Sequence, residues 1–265
     1  MEKSEILVVV KTYPEISSKY TETVCTAGIN ADTNKLVRLY PIRFRYLEGS
    51  QQFKKYQWIR ANIRKASADP RPESYNIDPE SIELRDVIPA GRTWEKRYSW
   101  LINENTVFSS VESLRAAQEN SGTSLGIIQP KEIETVIIQM RDDEEINEAV
   151  NKKDSVIRQL DLFEKKQDLY ILPIKIMIKF VCKDSQCKGH KMSILDWELG
   201  QLYRNVIKGP NWQAKIEAKI MQEIFGENRD TYIILGNMVS HPQTFCVLGF
   251  FWPLKSPYHQ MHLFT

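Results

Sequence analysis

Leu172, Ile174, Ile176, Ile178 and Phe180 take every second position between Tyr170 and Cys182. A period of two over this length is the pattern of a β-strand with one buried face, and nothing else in the chain limits the fold as tightly. The strand runs into F-V-C-K-D-S-Q-C-K-G-H, which places Cys182, Cys187 and His190 in a C-x4-C-x2-H spacing. Beyond it, Ile194, Trp197, Leu202 and Val206 recur at helical spacing, so a helix is expected over 193–206 with Ser193 as N-cap. The cysteines and the histidine therefore occupy a short connection between a strand and a helix.

Thiolate and imidazole are the ligands that tetrahedral Zn²⁺ prefers. The C-x2-H step lets two side chains turn back onto one ion, and Gly189 before the histidine permits the tight turn this needs. Three ligands leave a fourth position. Cys246 is the expected occupant, with His241, Cys25, Asp184 or a water as alternatives. A protein ligand would close the site and make the zinc structural, whereas a water would leave it open for catalysis. Without a metal, Cys182 would be a buried strand end and the other two would be surface loop residues. Asp196 and Glu198 follow closely enough to suggest a second metal group, but two residues apart on a helix they do not share a face.

The rest of the chain reads as β in its first half and mixed in its second. Ile6 to Val10 is a fully apolar run, expected as a buried strand. A Thr-rich strand over 21–29, turn residues at 31–34 and a strand over 35–40 form an expected hairpin, ended by Pro41. A further strand with a bulge is expected over 56–65, and Pro70, Pro72 and Pro79 mark 69–79 as an extended loop. Helices are expected over 93–102 and 109–119, the latter capped by Ser110, and a strand over 133–140. Residues 141–154 have little apolar content and are either a domain boundary or an exposed excursion. A helix over 212–225 and strands over 231–238 and 244–252 complete the chain. The expected class is α+β, divided into a β-rich part, 1–140, and an α+β part, 155–265. No internal repeat is visible.

Charge separates the two ends. The 265 residues carry a net charge of +2, yet residues 1–65 hold twelve Lys/Arg against six Asp/Glu, leaving the remainder about −4. The excess is interleaved with aromatics in V-R-L-Y-P-I-R-F-R-Y and F-K-K-Y-Q-W-I-R. Cations neutralise phosphates and aromatic faces stack on bases, so Arg38, Tyr40, Arg43, Arg45, Lys54, Lys55 and Arg60 are the candidate nucleic-acid contacts. The bland alternative is a solvated barrel face with Tyr40, Phe44, Tyr46 and Trp58 in the core.

Thr23-Val24-Cys25-Thr26-Ala27-Gly28-Ile29, Leu36-Val37-Arg38-Leu39-Tyr40-Pro41-Ile42 and Tyr56-Gln57-Trp58-Ile59 together resemble the opening of bacterial proteins with dual OB-like barrels. The resemblance covers about 60 residues. It implies an OB-like barrel in the first half, nucleic-acid association, and a setting in bacterial mobile-element or phage defence. The C-x4-C-x2-H element is not part of that pattern.

Four cysteines are too few for a disulfide framework, and no apolar run approaches a signal peptide or a membrane span. A cytoplasmic protein with no membrane partner is expected. Gln159-Leu160-Asp161-Leu162-Phe163 is similar to the short motif that docks replication proteins on the sliding clamp, which would add a protein partner. His259 and His262 sit at i, i+3 near the C-terminus. Phosphate-binding glycine loops and nucleophile elbows are missing. Nucleic-acid binding with a structural zinc is thus the leading expectation. A metal-dependent nuclease or hydrolase, and an interaction adaptor, are the alternatives.

Overall fold

The structure is a computed structural model that describes residues 1–17, 21–91, 94–159 and 170–256. Five strands form a closed barrel in the first half: β1 (Glu2–Lys11), β2 (Thr26–Asn30), β3 (Leu36–Leu39), β4 (Gln57–Lys65) and β5 (Ser74–Ile77). β1 pairs antiparallel with both β2 and β4, β2 with β3, and β4 with β5, while β3 and β5 run parallel. The order around the barrel is therefore 1-2-3-5-4-1. β6 (Glu83–Val87) adds to β4 outside the ring, and a short ribbon, Glu15–Ser17 with Thr21–Thr23, leaves it after β1. The helix α1 (Glu95–Leu101) follows.

The apolar run in β1 reflects burial on both faces. Ile6 and Val8 point into the barrel with Val37, Leu39, Ile59 and Ala61. Leu7 and Val9 point out, into a second core that contains Tyr98 and Leu101 of α1 and also Ile127, Tyr232, Ile234 and Phe251 from the second half of the chain.

The second half contains β7 (Val107–Phe108), α2 (Val111–Ser121), β8 (Leu125–Ile128), β9 (Pro130–Met140), α3 (Asp143–Gln159), β10 (Ile174–Cys182), β11 (His190–Ser193), α4 (Trp197–Val206), α5 (Trp212–Ala218), β12 (Tyr232–Met238) and β13 (His241–Phe251). A π-helical turn, Lys219–Ile224, extends α5. β8 and β9 are separated only by Gln129 and act as one long strand. Its first part pairs with β12 and its second with β10. β10 pairs with β11, β12 with β13, and a parallel bridge between Ile194 and Val247 joins the end of β11 to β13. Counted this way, the second half repeats the order 1-2-3-5-4-1, with α4 and α5 between its third and fourth strands. The repeat lies in the hydrogen bonding and leaves no trace in the sequence.

Several expectations are corrected. The loop over 69–79 contains β5, the strand that closes the first barrel. Leu125–Ile128 pairs with β12 and Pro130–Met140 with β10, and most of 141–154 belongs to α3. Ser193 ends β11; the cap of α4 is Asp196, whose Oδ1 accepts the Leu199 N–H at 3.0 Å. The irregularity expected in β4 lies in its pairing with β6, between Gln57 and Ile59, while its register with β1 is continuous. Leu160 to Phe163, His259 and His262 lie outside the described residues. Among the described residues, no helix is long and apolar enough to cross a membrane.

Candidate metal centre and barrel surface

β10 ends at Cys182 and β11 begins at His190, Cys187 lies in the connection of this hairpin, and α2 packs its first turn against it. Ser110 and Ser113 form a capping box that starts α2 and sets Glu112 in that turn. Glu112, Cys182, Cys187 and His190 thereby converge, with one ligand atom from each within 4.8 Å of all the others. The Cys187 Sγ to His190 Nε2 distance is 3.2 Å, and His190 Nε2 lies 3.2 Å from Glu112 Oε1. Ligands about 2.0–2.3 Å from a tetrahedral ion stand about 3.3–3.8 Å apart, close to the 3.2 Å of these two contacts.

The backbone supports the same arrangement. The N–H groups of Cys182 and Gly189 both donate to Cys187 Sγ, at 3.2 and 3.4 Å. Gly189 sits at φ +89°, where a side chain would be strained. Burial pushes the Cys182 thiol up to about 12, with Cys187 beside it adding to the rise. Burial also holds His190 below its ordinary value while Glu112 pulls the other way; the net direction is towards the neutral imidazole that a ligand needs. Phe180 packs against the imidazole at a centroid distance of 5.2 Å.

Glu112 was missed in the sequence because 70 residues separate it from Cys182, and only the packing of α2 brings it in. Cys246, expected as the fourth ligand, lies on β13 and lines a different cavity together with Cys25. His241 is exposed and bonds Ser240, and Asp184 is exposed and accepts the Gln186 N–H within the hairpin connection. Asp196 and Glu198 are also outside the cluster. Asp196 is buried as a cap, and Glu198 pairs with Lys55 at 3.3 Å.

The basic residues of the first half separate into two groups. Arg38 is only 4% exposed, so it is not part of an open groove. Lys55 is also withdrawn: its Nζ donates to the Phe250 carbonyl at 3.1 Å and to Glu198 across the junction of the halves. Arg43 stacks on Tyr46 and Arg45 on Trp197, with centroid distances of 4.2 and 5.7 Å. Lys54 is exposed, Arg60 is half-buried opposite Glu83 of β6, and Tyr40 is 37% exposed. Every residue of β2 and β3 is buried: Val37 and Leu39 face the barrel core, while Ala27, Ile29 and Leu36 pack in the core shared with the second half of the chain, which covers that face. Phe44 belongs to the barrel core, while Trp58 lies outside it and meets Trp100 edge-on at 4.9 Å.

Two family models match, and their limits follow the two halves of the fold. Residues 2–103 match a domain of unknown function (DUF8758), and residues 107–265 match a domain of unknown function (DUF8757). No curated protein matches the chain. The second of these models spans well over half of the sequence, and the chain belongs to the DUF8757 family.

Proposed function

We propose that this is a nucleic-acid-binding protein built from two OB-like barrels, the second held by a structural zinc on Glu112, Cys182, Cys187 and His190. The observation that carries the reading is the strand order 1-2-3-5-4-1, closed by the parallel third and fifth strands in the first half and followed in the second half with a single parallel bridge, Ile194 to Val247, at that place. Five-stranded Greek-key barrels of this kind bind oligonucleotides on the face of strands 2 and 3 and with adjoining loops. Here that face of the first barrel is covered, which leaves the rim for a polymer. Arg43, Arg45 and Lys54 lie between β3 and β4, and Arg60 and Arg64 lie on β4. These five cations would contact phosphates.

Four protein ligands leave no open position, which favours a structural ion over a catalytic one. Fluorescence anisotropy with single-stranded DNA, duplex DNA and RNA tests the polymer. Affinity should fall with salt at a log–log slope of about −3 to −5 if most of these cations engage phosphates. Lys54→Ala with Arg60→Ala should weaken binding without unfolding. Salt-independent or absent binding would overturn the proposal. Glu112 is 48% exposed, and this favours a second reading in which it yields its place to water and the ion becomes hydrolytic. Cleavage of nucleic acid that requires added zinc and survives Glu112→Gln would support that reading.

A further inference from the structure

The residues after position 65 sum to about −4, yet one short stretch of them is strongly basic. The β10–β11 hairpin, residues 174–193, carries Lys175, Lys179, Lys183, Lys188 and Lys191 against the single carboxylate of Asp184, a net +4. Strand β9 beside it adds Lys131 against Glu132 and Glu134, a net −1, which leaves the three-stranded sheet at +3.

Strand parity decides where these charges point. Ile174, Ile176, Ile178 and Phe180 of β10 and Met192 of β11 belong to the core, so Lys179 and Lys191 face the other way. Both are exposed, as are Lys183 and Lys188 in the connection. Lys179 and Lys191 are also direct register partners across the antiparallel pair. Like charges placed opposite one another on a sheet face repel. Lys175 is neutralised by Glu145 of α3. Among the described residues, none of the four exposed lysines is in an ion pair. Lys183 donates to the neutral Gln129 amide, and Asp184 is engaged by the Gln186 N–H. The first half offers nothing similar on its second and third strands, where Arg38 is the one cation and is buried.

The type of cation selects among anions. A carboxylate is matched best by the planar fork of arginine, whereas the lysine ammonium binds phosphate as a compact point charge. Four lysines with no arginine among them suit phosphates spaced along a chain better than an acidic peptide.

We infer that the outer face of the β10–β11 hairpin seats the phosphate backbone of a nucleic acid, with Lys179 and Lys191 at its centre and Lys183 and Lys188 towards the turn. This contact surface is carried by the other half of the chain from the rim cations. It rests on the nucleic-acid reading above but not on the rim residues. Backbone contacts carry no sequence information, so the hairpin adds affinity and orientation without base preference. The candidate metal ligands Cys182, Cys187 and His190 each stand next to one of Lys183, Lys188 and Lys191 in the chain, so whatever fixes the connection also fixes the spacing of these charges.

Fluorescence anisotropy of the full chain tests this with one single-stranded DNA oligonucleotide and its duplex. Poly-glutamate serves as an acidic competitor, and vesicles of phosphatidylcholine with phosphatidylglycerol are tested by co-sedimentation. The triple change Lys179→Gln, Lys188→Gln, Lys191→Gln should weaken DNA binding at least tenfold at low salt. It should also make the log–log salt slope shallower by about 2–3, whatever the rim contributes. Lys179→Arg with Lys191→Arg should retain both affinity and slope. The melting midpoint of the triple variant should not fall, because the change removes a like-charge pair. If that variant does melt early, Lys179→Gln alone should still reduce the slope by about 1. An unchanged slope in these glutamine variants, with wild-type binding intact, overturns the inference and leaves the nucleic-acid reading to the rim. Absence of salt-sensitive DNA binding by the wild type overturns both. Tighter lysine-dependent binding to poly-glutamate or to the vesicles than to DNA would assign the hairpin to another partner and overturn it as well.

Discussion

At the scale of single residues, the junction between the halves holds side chains whose chemistry opposes their surroundings. Lys11 Nζ sits 4.2 Å from the Phe44 ring centroid and 5.3 Å from that of Trp197, and it donates to the Phe53 carbonyl at 3.2 Å. Burial lowers its pKa to about 8, against a raising effect from Glu198 and a further lowering from Lys55. A lysine whose folded value lies below its unfolded one destabilises the fold while charged, and this cost fades as pH rises from about 8 through 10.5. Lys11→Met should therefore be more stable than the wild type at pH 7 by about 1–2 kcal/mol, and the gap should close by pH 10.5. Urea melts of both proteins across that range measure it; a variant less stable at pH 7 would show that the aromatic contacts outweigh desolvation. Gly200 makes the opposite point. A Cβ there would stand 2.1 Å from Tyr13 Cδ2, so Gly200→Ala should cost about 2–3 kcal/mol, visible as a lower urea midpoint with an unchanged slope.

At the scale of elements, Glu112 from the first turn of α2 meets Cys182, Cys187 and His190 of the β10–β11 hairpin. The C-x4-C-x2-H spacing was legible because three ligands lie within nine residues. Glu112 was not legible, since a lone Glu in the first turn of a helix is explained equally well by the helix dipole. If zinc joins these elements, Cys187→Ser should lower the melting temperature by about 10 °C or more, and chelation of the wild type should lower it equally. Calorimetry with and without chelator checks both; an unchanged midpoint together with unchanged metal content would exclude the site. The helix–strand assignments divide along the same line. β10 and α2 were visible through strong periodicity and a cap. β5 was hidden because four residues between prolines carry too little alternation to mark a strand. α4 begins later than its apolar spacing suggests, because Ile194 bridges to Val247 of β13 and holds the chain extended up to Asp196.

At the scale of the whole molecule, the two halves share a core. Leu7 and Val9 of the first half pack with Ile127, Tyr232 and Phe251 of the second, and Tyr98 Oη lies 3.0 Å from Tyr232 Oη between them. The family boundary at 103–107 therefore separates two sequence units but not two independent cores. A fragment of residues 1–104 should expose that apolar face, bind a hydrophobic dye and lack a sharp melting transition, whereas the full chain should unfold in one step. Two well-separated transitions in scanning calorimetry of the full chain would contradict this. The sequence by itself determined the α+β class, the strands with strong alternation, three members of the Glu/Cys/Cys/His cluster and the basic character of the first half. These depend on neighbours a few residues apart, where periodicity and spacing act directly. Tertiary structure alone decided the repeated strand order, the arrival of Glu112, the covering of the β2–β3 face and the burial of Arg38 over a cavity. Each of those depends on contacts between segments far apart in the chain, and local pattern does not encode which distant surfaces will meet.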